Sequence, residues 1–248
     1  MTDEKVLVEN KLPGILSLLG QSFSIYRKYF SIFYSYSAWL LVPLVISLLA
    51  FISFEKDVAD LVDFIFNILV YSLLVTWLSI VFISLVPHLK KDRKINAASF
   101  GVDAWYLLIP FLIVGLVVGL VNLLGFVLLI VPGLIFSTWL AFSGIIVVLE
   151  KAQLSEAMKK SRSLVQGRTL AVFYRIYGGL FIIASFYLFT LIGADVIQAA
   201  LSGADIQTAL LSQPSILNET IYRLIEILVL PLVFIYQTLL YLELRKKA

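Results

Sequence analysis

The sequence predicts an all-α, polytopic membrane protein, and its composition is the first observation that supports this fold class. Of the 248 residues, 61% are hydrophobic and only 14% are charged, with a mean hydropathy of +1.00. Soluble domains carry about 45–50% apolar and about 25% charged residues. Because a soluble core of this size cannot bury such an excess of apolar side chains, we expect lipid to surround the chain.

The second observation is the spacing of the charges. The 46 residues between Asp103 and Glu150 include no charged side chain. As one helix at about 1.5 Å per residue, this stretch would be about 70 Å long, or about twice the ~30 Å hydrocarbon core. We therefore predict two crossings with a tight turn at Asn122–Gly125. Together with the other uncharged stretches this gives six kinked spans, at about 30–53, 64–87, 105–122, 126–149, 172–192 and 223–243.

The basic residues predict the orientation of these spans. We divide the chain into an N-terminal segment, 1–29, a membrane domain, 30–243, and a basic tail, 244–248. Of the 19 lysines and arginines, 16 fall in the two terminal segments and in the loops 88–104 and 150–168. Because cytoplasmic loops are enriched in Lys and Arg, we expect a multi-pass protein of the inner (cytoplasmic) membrane with both termini in the cytoplasm. The net charge of +3 then reflects orientation and does not predict nucleic-acid binding.

Prolines inside the spans predict kinked helices. A proline lacks an N–H donor and frees the carbonyl four residues before it, and no water is present in lipid to replace that bond. Two alternatives stay open: a packing kink in a compact bundle, or a hinge in the wall of a substrate cavity. A glycine beside the kink lets a neighbouring helix approach closely. The candidate residues are Pro43, Pro110, Pro132, Gly133 and Pro231.

Three charged residues near the span ends could indicate an ion path, since charges inside a membrane often do. The apolar stretches beyond them are, however, long enough to place all three at the interfaces. We expect Arg175 at the inner interface and Arg223 with Glu226 at the outer one, where their three-residue spacing permits an ion pair. With all three charges at the interfaces, the hydrocarbon centre has no charged residue, which disfavours a proton-coupled carrier.

The segment QLSEAMKKSRSLVQG, residues 153–167, predicts a short amphipathic helix in the inner headgroup layer. Its apolar residues recur at helical spacing, and its charged residues occupy the other side. We predict Ser155 as the N-cap and Gly167 as the C-terminal stop. The residues assigned to this helix and its approach are Glu150, Ser155, Lys159, Lys160, Ser161, Arg162 and Gly167.

Similar segments precede the first and third spans. When the chain is aligned on Ser22, Ser99 and Ser161, it divides into three units. Each unit has a polar or amphipathic leading helix followed by a pair of spans. This pattern predicts a three-fold repeat of helical hairpins.

Several of these motifs resemble the membrane domain of the glycerophosphoryl diester phosphodiesterase family. The resemblance rests on the opening YRKYFSIFYSYSAWLLVP, on Val131-Pro132-Gly133, on a span that ends at Glu150, and on Glu156-Ala157, Ser161 and Gly167. It implies a six-helix bacterial inner-membrane protein, a group of mostly uncharacterised members. The phosphodiesterase activity of that family belongs to a separate soluble domain, for which this sequence offers no counterpart.

No residues are assigned to catalysis, a metal or a cofactor. His88 is the only histidine, and the chain has no cysteine and no Gly-x-Ser-x-Gly motif. We therefore expect a non-catalytic protein that interacts with lipids or serves as a membrane module or scaffold. Its expected partners are membrane lipids and, as a second candidate, another membrane or cytoplasmic protein. The alternative function is a transporter or permease subunit for a small amphiphilic molecule.

Overall fold

A computed structural model describes residues 12–202 and 216–247 of the chain, and the secondary structure of these residues is helical. Most helices follow one another after a few residues. One 3₁₀ turn, Ala38–Leu40, and one π-helical stretch, Phe66–Tyr71, interrupt the α-helices. The α-helices are α1 (Ile15–Lys28), α2 (Phe30–Ser37), α3 (Leu41–Ser53), α4 (Lys56–Ile65), α5 (Ser72–Leu89), α6 (Ala97–Leu128), α7 (Ile130–Leu140), α8 (Ser143–Glu150), α9 (Leu154–Val165), α10 (Thr169–Ser202) and α11 (Ile216–Lys246).

Six helical stretches in the described residues are long and apolar enough to cross a membrane. Each has at least 21 residues, and 21 residues of α-helix are about 31 Å long, which matches the ~30 Å hydrocarbon core. The predicted all-α, multi-pass membrane fold is therefore confirmed. The six stretches are Phe30–Ala50, Ile68–Leu89, Ala97–Leu128, Ile130–Glu150, Thr169–Leu201 and Thr220–Lys246.

Burial divides the six stretches into two sets that alternate along the chain. In the second, fourth and sixth, 44% of the most apolar segment is buried inside the protein. In the first, third and fifth, the corresponding shares are 28%, 11% and 6%. Each of the three predicted hairpins thus contributes one outer and one inner helix, which agrees with the proposed repeat of three units. Because hydrocarbon offers no water to compete, the inner helices are held by packing and hydrogen bonds.

The core lies where the inner helices meet near one end of the bundle. The last three turns of α5, most of α8 and the second half of α11 supply most of its fully buried side chains. Aromatic rings join these helices to their neighbours: the ring of Phe82 contacts Phe33 on α2 and Phe234 on α11, and Phe142 contacts Tyr241. This packing fixes the end of the bundle at which the chain's basic loops emerge.

The turn between the third and fourth crossings differs from the prediction. Residues 122–125 belong to α6, which continues to Leu128, and the chain reverses at Leu129 before α7 begins at Ile130. The predicted turn at Asn122–Gly125 is therefore wrong. Asn122 and Gly125 suit a turn in water, but the chain reverses among apolar residues instead, and the close contact of Gly125 with Gly133 lets α6 and α7 pack beside that reversal.

The predicted amphipathic helix is present as α9, with a shifted start. Its N-cap is Gln153, so Ser155 lies inside the first turn and the prediction of Ser155 as N-cap is wrong. Gln153 has the extended backbone of an N-cap residue but makes no side-chain capping bond. The helix ends at Val165, and Gly167 follows at φ 85°, the left-handed conformation in which glycine ends helices.

The third hairpin connection, from about residue 193 to 221, falls partly outside the described residues. In this connection the related stretches ADVIQAAL and ADIQTALL predict two weak amphipathic helices on the outer surface. The first belongs to α10 itself, and the second, residues 204–211, lies outside the described residues. Most of the predicted basic tail belongs to α11, which extends to Lys246.

Candidate functional site: the basic end of the helix bundle

The basic end is the end of the bundle that holds Lys28, Lys90, Glu150, Lys160 and Arg245. Three acidic residues there, Asp92, Glu150 and Glu243, each accept bonds from more than one neighbour, and each connects segments that are distant in the sequence. The site was predicted as a row of residues on one helix. In the structure it is a set of ion pairs and hydrogen bonds between the ends of α1, α5, α8, α9 and α11. We call each carboxylate with its bonded partners a tie.

Glu150, the last residue of α8, is the centre of the largest tie. Its side chain is 11% exposed. One carboxylate oxygen accepts a hydrogen bond from the Tyr241 hydroxyl at 2.5 Å and lies 3.4 Å from Nε of Arg245, and the other is paired with Lys160. Glu150 therefore connects α8, α9 and α11, and the charge of its carboxylate is balanced by two cations.

Glu243 makes the second tie. Its carboxylate accepts bonds from Lys90 Nζ at 2.6 Å and from Lys246 Nζ at 3.0 Å. Lys90 follows the end of α5, so this pair fastens α5 to the last turns of α11. Arg168 reinforces the same region, because its guanidinium donates to the carbonyl oxygen of Leu244 at 3.3 Å.

Asp92 makes a third, exposed tie to the N-terminal part of the chain. Its carboxylate accepts hydrogen bonds of 2.6 Å from Lys28 Nζ and from the Tyr29 hydroxyl. These bonds, that from Lys28 first, hold the pKa of Asp92 below its ordinary value. The backbone of Asp92 is left-handed, with φ 48°, which short acidic and amide side chains tolerate. The tie thus fixes the junction of α1 and α2 beside the loop after α5.

Ser161 supports a break in the fourth crossing. Between α7 and α8, at Ala141 and Phe142, the helix is interrupted. The fully buried hydroxyl of Ser161 donates to the carbonyl oxygen of Trp139 at 2.6 Å and accepts from the N–H of Phe142 at 3.2 Å. One side chain on α9 therefore satisfies a donor and an acceptor that the break releases.

Trp139 extends this contact toward the charged surface. The guanidinium of Arg162 lies 4.5 Å from the centre of the Trp139 ring, and the indole N–H donates to the Thr169 hydroxyl at 3.0 Å. A cation over an indole ring is a favourable arrangement. Of the predicted residues of α9, the structure thus places Lys160, Ser161 and Arg162 in contacts with other helices. Ser155 and Lys159 are exposed, and so is Glu156, the only acidic residue in this helix.

Arg175 performs a role that sequence reasoning missed. Its guanidinium donates to the carbonyl oxygens of Pro13 at 2.9 Å, Leu12 at 3.1 Å and Ala171 at 2.7 Å. Leu12 and Pro13, which shortly precede α1, are thereby fastened to α10. No sequence motif predicts such a bond, because its acceptors are backbone carbonyl oxygens about 160 positions away, and every residue type has such an oxygen. The three hydrogen bonds satisfy donors of the guanidinium group, which explains why an arginine is tolerated at this position.

The contact is completed by Tyr236 on α11, whose hydroxyl donates to the carbonyl oxygen of Arg175 at 2.5 Å. Its ring is fully buried against Gly179, and a side chain at that glycine would overlap the ring. Next to it, Gly178 faces Ile15 of α1. The pair of glycines therefore lets α1 and α11 approach α10 on two sides.

The opposite end of the bundle holds the other predicted charges. Arg223 pairs with Glu226 at 3.3 Å, and its guanidinium also lies 4.4 Å from the centre of the Tyr71 ring. Nearby, Asp195 accepts bonds from Asn218 at 3.0 Å and from Tyr222. The two predicted partners are thus brought together, while Arg175 lies with the basic end.

The four prolines occupy two kinds of position. Pro110 and Pro231 lie inside the continuous helices α6 and α11. Pro43 is the third residue of α3, but α3 follows directly on the 3₁₀ turn Ala38–Leu40, so this proline lies inside the helical stretch Phe30–Ala50. Pro132 is the third residue of α7, in a first turn where a missing N–H removes no helical bond. The expected mid-helix kink at Pro132 is therefore wrong. Gly133 packs against the Phe126 ring and the neighbouring Gly125.

The chemistry available to this end is that of ion pairing and hydrogen bonding. Within the described residues, no three potential metal-ligating side chains are grouped together. Nδ1 of His88 lies 3.1 Å from the carbonyl oxygen of Ser84, and its ring contacts Phe100 edge to face, which accounts for this histidine structurally. Comparisons with models of known families, with curated proteins and with solved structures find no match.

Proposed function

We propose that this chain is a non-catalytic scaffold of the inner (cytoplasmic) membrane whose basic end faces the cytoplasm and holds anionic lipid headgroups. The observation that carries the proposal is the division of charge at the basic end. The charges of its buried or half-buried carboxylates are balanced by internal ion pairs, whereas many of its basic side chains are exposed. The exposed basic side chains are Arg27, Lys91, Arg93, Lys94, Lys151, Lys159 and Arg162.

Such a surface is suited to anionic phospholipids. Each Lys or Arg near an anionic membrane surface adds about 1 kcal/mol of attraction. The basic side chains lie around the ends of the membrane-length helices, which supports a location at the depth of the headgroups. Orientation with this end inward agrees with the enrichment of basic residues in cytoplasmic loops.

The packing of the inner helices favours a scaffold over a transporter. Side chains of Leu78, Phe82, Ile146 and Leu239 are completely buried, and each belongs to an inner helix. Arg175 and the Arg223–Glu226 pair lie toward opposite ends of the bundle, and the completely buried side chains of the inner helices between them carry no charge. A rigid bundle with a basic inner surface is well suited to hold a lipid or a partner protein in place.

The resemblance to the membrane domain of the glycerophosphoryl diester phosphodiesterase family is part of the same proposal. Its motif residues have structural tasks that a shared fold would require. Glu150 joins three helices, Ser161 supports the break at Phe142, and Gly167 adopts a left-handed turn. We propose membership of that family's stand-alone six-helix group as the source of the fold.

A measurement of lipid enrichment tests the lipid proposal. The full chain in nanodiscs of mixed anionic and zwitterionic phospholipid is compared by native mass spectrometry with a variant carrying Lys91→Gln, Arg93→Gln and Lys94→Gln. We expect the wild type to retain anionic lipid and the variant to lose between about tenfold and about a hundredfold of that preference, since three charges at about 1 kcal/mol each amount to about 3 kcal/mol and about 1.4 kcal/mol is a factor of ten. Lys56→Gln, at the opposite end, is the matched control and should leave the preference unchanged. Equal enrichment in all three would refute the proposal.

The transporter alternative is supported by one separate observation. The hydroxyls of Ser37, Ser143 and Thr238 are fully buried and have no hydrogen-bond partner among the described residues. An unpaired hydroxyl inside an apolar bundle is costly, and a passing polar ligand or a bound water would satisfy it. Uptake of a fluorescent amphiphile into proteoliposomes, above the rate of protein-free vesicles and reduced by Thr238→Val, would favour transport over the scaffold.

A further inference from the structure

Three of the four tryptophans in the chain line one open groove on the surface of the bundle. The groove lies between the 3₁₀ turn after α2, the first half of α5 and the first turns of α6, and its volume is about 450 Å³. Small-molecule sites have volumes of about 300–1,000 Å³ and are lined mainly by aromatic and apolar side chains. We call it the tryptophan groove, after the residues that shape it, which are Tyr36, Trp39, Trp77, Ala98, Gly101 and Trp105.

Internal contacts hold the floor of the tryptophan groove in place. The Tyr36 hydroxyl donates to the carbonyl oxygen of Ala97, and the indole N–H of Trp77 donates to the carbonyl oxygen of Gly101 at 3.0 Å. A Cβ at Gly101 would lie 3.2 Å from the Trp77 ring and 3.3 Å from the Tyr36 ring, so glycine lets both rings lie against α6. Single tryptophans are common at membrane interfaces. Here, in contrast, rings from three segments are fixed around one space.

Two donors of the tryptophan groove have no partner in the protein. Within the described residues, the indole N–H groups of Trp39 and Trp105 make no hydrogen bond. Both residues are about half exposed, at 56% and 51%. An indole N–H can only donate, and a donor that faces lipid needs an acceptor from outside the chain. A matching ligand therefore has oxygen acceptors next to an apolar body, as the ester groups of a phospholipid do.

The loop between α5 and α6 brings positive charge to the same groove. The Tyr29 hydroxyl bonds to this loop near its start, at Asp92, and the Tyr36 hydroxyl bonds to the backbone where the loop ends. Arg93 and Lys94 lie between these two anchors, and both are exposed. Neither has an ion-pair partner among the described residues. Two unbalanced cations thus lie beside a groove of aromatic rings.

The distance between the two anchors matches the layers of one membrane leaflet. From Tyr29 to Tyr36 is seven residues, or about 10 Å along a helix. The polar layer on each side of the hydrocarbon is about 5–7 Å thick. A phosphate beside Arg93 and Lys94 would therefore have its ester groups and first acyl carbons at the level of the groove. Cations, free N–H donors and apolar rings follow in the order of phosphate, esters and acyl chain.

We propose that the tryptophan groove holds one anionic phospholipid. Its phosphate pairs with Arg93 and Lys94, and its ester oxygens accept from the indole N–H groups of Trp39 and Trp105. One acyl chain lies along the rings. The anionic class follows from the two unbalanced cations, beside which the ammonium group of a zwitterionic lipid would be repelled. This inference rests on the proposed function and names one place where the basic end holds lipid.

Binding of phosphatidylglycerol to delipidated full-length protein in detergent, followed by native mass spectrometry, tests the site. We expect the wild type to bind one phosphatidylglycerol before any other, with phosphatidylcholine bound more weakly. Ala98→Leu places a larger side chain in the groove and should weaken this first binding step at least tenfold. Ala184→Leu, at an exposed position of α10, is the matched control and should bind as the wild type does. Thermal unfolding without added lipid shows whether each variant is folded.

A second variant tests the indole donors and serves if Ala98→Leu fails to fold. Trp39→Phe combined with Trp105→Phe keeps two aromatic rings but removes both N–H groups. We expect the first phosphatidylglycerol to bind about tenfold more weakly, as the loss of two hydrogen bonds implies. Arg93→Gln combined with Lys94→Gln should abolish the preference over phosphatidylcholine at this step, whereas Lys159→Gln, an exposed position on α9, should leave it unchanged.

The outcomes separate the tryptophan groove from the general lipid proposal. First-step binding that is the same in the wild type, in Ala98→Leu and in the double tryptophan variant would overturn the groove. If nanodiscs of the wild type are still enriched in anionic lipid, the proposed function then stands without it. Equal binding of phosphatidylcholine and phosphatidylglycerol at the first step would overturn the anionic assignment. Tryptophan quenching by phosphatidylglycerol with brominated acyl chains, saturating at one lipid per chain, would support the site.

Discussion

The chain reverses or breaks a membrane helix at two nearby places, and the two are stabilised in opposite ways. At the junction of α7 and α8, Ser161 supplies a hydroxyl to Trp139 and Phe142, and Arg162 covers the adjacent indole ring. At the junction of α6 and α7, Leu129 and its neighbours supply only apolar side chains, and Pro132 removes a donor.

This difference shows how the surroundings select the residues at a helix end. Near the charged layer, a polar side chain can satisfy the freed backbone groups and remain hydrated or paired. Within lipid, a polar cap would itself need partners, so removal of the donor is the better solution. The same contrast extends to other contacts, since ion pairs join the helices at the basic end while the packed glycines Gly125 and Gly133 join α6 and α7 beside the reversal at Leu129.

The largest effect is expected from Gly179→Ala, which breaks the packing of the basic end. Its Cβ would overlap the buried ring of Tyr236, which also bonds to the Arg175 carbonyl. Overpacking of this kind should cost about 3 kcal/mol and lower the Tm by roughly 6–12 °C. Thermal unfolding in detergent, followed by tryptophan fluorescence, measures the change.

Gly193→Ala on the same helix is the matched control for that substitution. Nothing lies within 4 Å of the added Cβ there. Alanine also has the higher helix propensity, so the Tm should stay the same or rise, by up to about 1 kcal/mol of stability. A Tm of Gly179→Ala equal to that of wild type would mean that Tyr236 is free to move, contrary to its buried position.

Ser161→Ala sharpens the comparison of the two breaks. It leaves the N–H of Phe142 and the carbonyl oxygen of Trp139 without their side-chain partner in a buried position. We expect a loss of about 2 kcal/mol, or roughly 4–8 °C in Tm. Ser163→Ala is the control, since that exposed hydroxyl bonds only to Lys160 of its own helix. If both variants unfold alike, the break at Phe142 does not depend on a polar cap.

The smallest effect is expected from Asp92, which tests the exposed tie of the basic end. Because its pKa is lowered in the folded protein, Asp92 contributes stability above its unfolded pKa of about 3.9 and loses that contribution as the pH falls through the folded value. The Tm of Asp92→Asn should therefore lie slightly below wild type at neutral pH and approach it in acid. Asparagine keeps the left-handed backbone. A gap between the two that widens as the pH falls would contradict this sign.

Several features of the fold could be predicted from the sequence. The charge-free stretches predicted membrane-length helices, and the helical spacing of apolar residues in 153–167 predicted α9. The pairing of Arg223 with Glu226 followed from their spacing on one helix. Each of these depends on interactions between residues close in the sequence or between a helix and its solvent.

Other features could not be predicted, because they depend on contacts between distant residues. The turn at Leu129 has no turn residue of the kind that marks a reversal in water, so the prediction favoured Asn122–Gly125. The bonds from Arg175 to the carbonyl oxygens of Leu12 and Pro13 involve backbone atoms, which carry no signature of residue type. The tie at Glu150 requires α8, α9 and α11 to end at the same point in space.

The amino-acid sequence by itself determined that the chain is helical, that lipid surrounds it, and that basic residues collect in particular loops. These properties follow from hydrophobicity and backbone hydrogen bonding, which act on each segment separately. Only the tertiary structure decided which helices lie inside, where the hairpin of α6 and α7 reverses, and which carboxylates join the helix ends. Those properties depend on the shape and position of side chains from several segments at once, which no single segment specifies.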